Sequence, residues 1–139
     1  RSDLGIVCIA EPPYAEGPGD CAEPAPSPED IAVFSRLRER VDVLVLVIYS
    51  GRPLVLPEVM NQADAIVAAW LPGSEGAALA ALLDGSHQFS ATTPQAWPAA
   101  VESLGDPSAN PRFTVGHGLS TASASVSRPG DAAAGEIVG

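Results

Sequence analysis

"VDVLVLVIY", Val41–Tyr49, decides the fold of this chain. Only Asp42 interrupts it, and valine and leucine dominate. A strand with one wet face alternates apolar and polar residues. A strand that does not alternate is covered on both faces, which is the usual state of parallel strands in α/β proteins. Val43–Tyr49 is an unbroken apolar run, and no apolar run in the chain is longer. It falls well short of the roughly 18 residues that a membrane span needs, so it reads as a buried strand.

Working outward, "SPEDIAVFSRLRER" (Ser27–Arg40) precedes it and reads as a helix. Ser27 can cap, Pro28 suits the first turn, and Glu29 and Asp30 lie at the positive end of the helix dipole. Ile31, Phe34 and Leu37 form one apolar face, and Arg36, Arg38 and Arg40 crowd the negative end. Before the helix, "LGIVCIA" (Leu4–Ala10) reads as a second buried strand. After the central strand come the loop "SGRPLVLP", a short helix at Glu58–Ala63, and a third strand, "AIVAAW" (Ala65–Trp70). "LPGSEG" is a tight loop, and "EGAALAALLDG" is an alanine-rich helix closed by Gly85. "TPQAWP" and "RFTVGHG" read as short edge strands. The sequence divides into a domain over residues 1–121 and a loose tail over 122–139, where residues are small and polar.

Alternating strands and helices predict an α/β fold: a mostly parallel sheet with helices on both faces. In such sheets ligands bind at loops beyond the carboxyl ends of the strands. "EPPYAEGPGD" (Glu11–Asp20), "SGRP" (Ser50–Pro53) and "WLPGSEG" (Trp70–Gly76) are loops of that kind. The first packs three carboxylates, a tyrosine, three prolines and two glycines into ten residues.

Composition excludes several functions. The 139 residues suit one domain, and the 46% apolar fraction is ample for a core. The formal charge is -10, and all seven cations are arginine. With no basic stripe, nucleic acid is not an expected partner. Cys8 and Cys21 are the only cysteines. Cys8 is expected to be a small core residue. A disulfide between the two is left open. His87 and His117 stand far from them without ligand spacing, so no metal or other cofactor is expected. The opening "RSDLG" lacks a charged-then-apolar leader. A mature secreted chain would open the same way, so the compartment stays open.

Three blocks, "EPPYAEGPGD", "SGRPLVLPEVMNQADAIVAAWLPGSEG" and "WP" followed by "VGHGL", resemble the C-terminal α/β sandwich domain of glycoside hydrolase family 3. That family includes β-glucosidases and exo-β-glucanases. The resemblance covers roughly Ser2–Thr121, in the family's order. It implies a domain truncated at its N-terminal side, since further strand–helix units precede this point in the family. It also implies a (β/α)8 barrel partner with an aspartate nucleophile, a β-glucoside or β-glucan substrate, and an extracytoplasmic location. By position, Glu16 matches the family's general acid/base and Glu11 an earlier glutamate at the strand end. The chain departs from the family pattern at Leu83–Ser86, at "ATTP", and at His117, where a tyrosine is usual.

Taken alone, each residue also has an ordinary reading. Glu16 without the resemblance is a solvated loop carboxylate. With it, Glu16 beside Tyr14 in a proline-stiffened loop is the candidate acid/base. A retaining glycosidase needs two carboxyls about 5–5.5 Å apart. One of them must be kept protonated by apolar cover. Glu11 is expected to accept backbone N–H bonds, and Asp20 to cap a turn. Arg52 is expected to pair with one of these acids, the alternative being a hydrogen bond to a sugar hydroxyl. Trp70 and Trp97 are each open between core packing and sugar stacking. His87 and His117 are read as surface or interface residues. No serine or cysteine has a nucleophile motif, and "GSEG" lacks a phosphate-loop lysine. Two functions follow: the acid/base part of a glycosidase, or a non-catalytic carbohydrate-binding or scaffold domain on the same fold.

Overall fold

The run Val41–Tyr49 is β2, an inner strand of a parallel sheet. The structure is a computed structural model that describes residues 1–106, 110–119 and 137–138. β1 (Ser2–Ala10) pairs with one edge of β2 and β3 (Ala65–Ala68) with the other, both in parallel. β4 (Ile137–Val138) joins β3, also in parallel. The three parallel strands read from the sequence are therefore present in one sheet.

The helices lie on opposite faces. α1 (Pro28–Arg38) starts where the sequence places it, with Ser27 Oγ accepting the Asp30 N–H at 3.1 Å. That bond satisfies one orphan donor of the first turn. Phe34 of α1 is fully buried and packs with Val7, Ile9, Leu44, Leu46, Ile48, Ile66 and Ala68. The short helix is a 3-10 turn, Glu58–Gln62, and its Met60 enters the same cluster. On the other face Val47 and Val67 pack with Phe89 and with Leu79 of α2 (Gly76–Leu83). Successive residues of β2 thus enter different cores, as a doubly covered strand requires.

β1 differs from its expectation. Its sequence is as apolar as an inner strand's, yet only Gly5, Val7 and Ile9 are buried. α1 covers that side, while the α2 cluster reaches only β2 and β3. Leu4 (54% exposed) and Ile6 (44%) therefore face outward. Cys8 lies in the same alternation and is exposed, not a core residue. Both cysteines are free.

Two other boundaries shift. β3 ends at Ala68 because Trp70 takes φ 52°, a left-handed conformation that ends pleated pairing. "TPQAWP" and "RFTVGHG" meet in one antiparallel bridge, Trp97 with Phe113, and neither joins the sheet. Trp97 is buried, and its Nε1–H donates to Leu54 O at 2.8 Å, so it is a core residue. The expected loose tail, 122–139, lies outside the described residues except for Ile137 and Val138.

Candidate functional site

Register places the site. Ala10 pairs with Tyr49, and Ile48 with Ala68, so all three strands end at one edge. The loops that follow, at Glu11, Ser50 and Ala69, leave the sheet together. Side chains confirm the meeting. A Cβ on Gly51 would stand 2.7 Å from the Tyr14 hydroxyl and 3.4 Å from Leu71 Cδ1. Each of the three loops supplies one of those groups.

Glu11 is the electrostatic centre. Its Oε1 accepts from Arg52 Nε at 3.0 Å and from Nη2 at 2.7 Å. Its Oε2 accepts from Ser50 Oγ, in a short contact, and from the Tyr14 hydroxyl at 3.2 Å. The expectation of backbone donors is corrected here. The partners are side chains, because the neighbouring loop brings a serine and an arginine to the strand end. Glu11's side chain is 12% exposed and Arg52's 27%. Burial alone would raise the Glu11 pKa, but the bonds from Arg52, Ser50 and Tyr14 outweigh it and hold the carboxyl below its ordinary value.

Arg52 also fulfils its expected pairing and extends beyond it. Its Nη1 donates to Gly19 O at 2.7 Å, and its guanidinium carbon lies 4.4 Å from the Tyr14 ring centroid. Ser50 was not singled out from the sequence. It is 2% exposed, and its oxygen also accepts the Arg52 N–H at 3.1 Å. Its signal was its position, a lone hydroxyl between an apolar strand and "GRP".

Glu16 sits at the tip of the same loop and is exposed. Among the described residues its carboxylate has no hydrogen-bond partner. Gly17 beside it takes φ 75°, and nothing lies within 4 Å of where a Cβ would stand. The tip is closed by Gly19 N–H to Ala15 O at 2.8 Å and Asp20 N–H to Gly17 O at 2.9 Å. Asp20 contributes that backbone bond, but its side chain caps no turn among the described residues. Tyr14 directs its hydroxyl to Glu11 rather than to Glu16.

The remaining candidates are elsewhere. Trp70 is half-buried against the α1-side core, its ring 6.1 Å from that of Trp97. His87 is exposed, and half-buried His117 stacks on Phe113 at 4.7 Å. Among the described residues no cluster of three His, Cys, Asp or Glu could hold a metal, and no helix is long and apolar enough to cross a membrane.

Residues 1–121 match the glycosyl hydrolase family 3 C-terminal domain, and the chain belongs to that family. It is similar to the lysosomal beta glucosidase of Dictyostelium discoideum, 33% identical over 130 residues. It is also similar to the periplasmic beta-glucosidase of Salmonella typhimurium, 44% identical over 59 residues. The first match spans 86% of this chain but 16% of that protein, and the second 42% and 8%.

Proposed function

We propose that this domain is part of a retaining β-glucosidase or exo-β-glucanase-like hydrolase. Glu16 is its general acid/base, and a (β/α)8 barrel supplies the aspartate nucleophile. The observation that supports this reading is the contrast within one loop: Glu11 is tied down at the sheet edge, and Glu16, which the resemblance puts at the acid/base position, stands free at the tip. Both relatives are beta glucosidases, which supports the substrate class.

The chemistry assigns Glu16 two proton transfers. In the first step the barrel aspartate attacks the anomeric carbon while Glu16 gives its proton to the departing glycosidic oxygen. In the second, Glu16 takes a proton from the water that attacks the glycosyl-enzyme. That attack releases the sugar and restores both carboxyls. To hold a proton before the first step, the acid needs cover from a partner surface. Exposed Tyr14 and Leu71 stand at the same edge, where such a surface would dock.

The test is Glu16→Ala in the chain assembled with its barrel. Activity on glucosides with poor leaving groups should fall by about 10²–10⁴, the usual contribution of general acid catalysis. Aryl glucosides whose leaving group needs no proton should lose much less in the glycosylation step. The chain without a barrel should not turn over aryl β-glucosides at all. Equal losses on both substrate types would leave the non-catalytic carbohydrate-binding or scaffold reading in place.

A further inference from the structure

We propose that Arg52 is the positioning residue of this site: its guanidinium holds the Glu11–Asp20 loop in the shape that presents Glu16 to a glycoside. The inference rests on Glu16 acting as the acid/base.

Arg52 touches the loop at three places that bracket Glu16. It binds Glu11 at the start through Nε and Nη2, and Gly19 near the end through Nη1. It covers the Tyr14 ring between them. The loop's remaining bonds at the tip are local turn bonds, Gly19 to Ala15 and Asp20 to Gly17. They fix the curvature of the tip but not its direction. Direction needs a tie to the sheet, and Arg52 lies just beyond the end of β2, anchored through its own N–H to buried Ser50.

The site also requires arginine specifically. A planar guanidinium donates along fixed directions, so a carboxylate and a carbonyl can be held at a set angle while its face packs on an aromatic ring. A lysine ammonium keeps the charge but loses the fork and the flat face. Close packing reinforces the arrangement. A Cβ on Gly19 would stand 2.6 Å from both Ala15 O and Tyr14 Cδ2, and one on Gly51 2.7 Å from the Tyr14 hydroxyl. The Tyr14 ring therefore packs against Gly19, Gly51 and Arg52 on one side, while its other side stays exposed.

The experiment compares wild type, Arg52→Lys and Glu16→Ala in the chain assembled with its barrel. Hydrogen exchange follows the amides of Gly19 and Asp20 against those of β2. In Arg52→Lys the loop amides should exchange about tenfold faster or more, with β2 unchanged. On glucosides with poor leaving groups kcat should fall by about ten- to a hundredfold, with KM changing far less, because a misplaced acid damages only the transition state. Wild-type exchange in the loop of Arg52→Lys, or faster exchange throughout β2, overturns the inference. So does an unchanged kcat on poor leaving groups. If that occurs while Glu16→Ala keeps its leaving-group dependence, the acid/base reading survives and only Arg52's role falls. If Glu16→Ala shows no such dependence, both fall.

Discussion

The two ends of the Glu11–Asp20 loop carry the same functional group in opposite settings. Glu11 is 12% exposed and takes bonds from Arg52, Ser50 and Tyr14. Glu16, five residues on, is exposed and has no partner among the described residues. A carboxylate locked by an arginine and two hydroxyls is held ionised and oriented, so it is poor at exchanging protons. A carboxylate at an unencumbered tip can be covered by a partner and pass a proton. On the proposed reading the two acids divide the work: Glu11 fixes the loop and Glu16 is left for chemistry.

Stability measurements can break or sharpen this comparison. The largest effect is expected for Glu11→Ala, which leaves the Arg52 guanidinium without its carboxylate. Urea unfolding should show a loss of about 2 kcal/mol, below the range for fully buried pairs because both side chains keep some solvent contact. A loss below about 0.5 kcal/mol would make the pair an ordinary surface bridge.

The pH dependence follows with the same sign. The Glu11 pKa is lowered from its ordinary 4.5, so its contribution to stability is complete above that value and is lost as pH falls through the folded-state pKa. Unfolding of wild type followed from pH 6 downward should show this loss, and Glu11→Gln should remove that component. An identical pH profile in the variant would contradict the assignment.

Ser50→Ala should cost about 1 kcal/mol, since it removes a buried hydroxyl but spares the ion pair. The smallest effect belongs to the tip. Glu16→Ala should change stability by no more than about 0.5 kcal/mol, as for surface substitutions generally. A large loss at Glu16 would erase the difference between the two ends.

Much of this was legible in the sequence. The unbroken apolar run Val43–Tyr49 within β2 required two covered faces, and the structure supplies α1 on one and α2 on the other. Ser27 and Pro28 marked the helix start where the cap bond lies. β1 misled because an apolar run records what a strand tolerates, not what lies over it, and α2 does not reach Leu4, Ile6 or Cys8. The end of β3 was hidden because the left-handed φ of Trp70 is a bulky residue's exception that composition does not signal. At the site, the Arg52 pairing followed from chemistry, whereas the choice of Glu11 over the loop's other acids depended on register. Ser50 escaped notice because a single serine after a strand carries no motif.

The proposed division of labour between Glu11 and Glu16 is tested most directly by azide rescue in the chain assembled with the proposed barrel. Azide needs no deprotonation to attack a glycosyl-enzyme, so it replaces the base in the second step. With an aryl glucoside that needs no acid to leave, azide should restore turnover in Glu16→Ala and yield a glucosyl azide of retained configuration. Glu11→Ala should show no such rescue, because its defect is the shape of the loop. Rescue of Glu11→Ala instead, or of neither variant, would contradict the assignment of the acid/base role to Glu16.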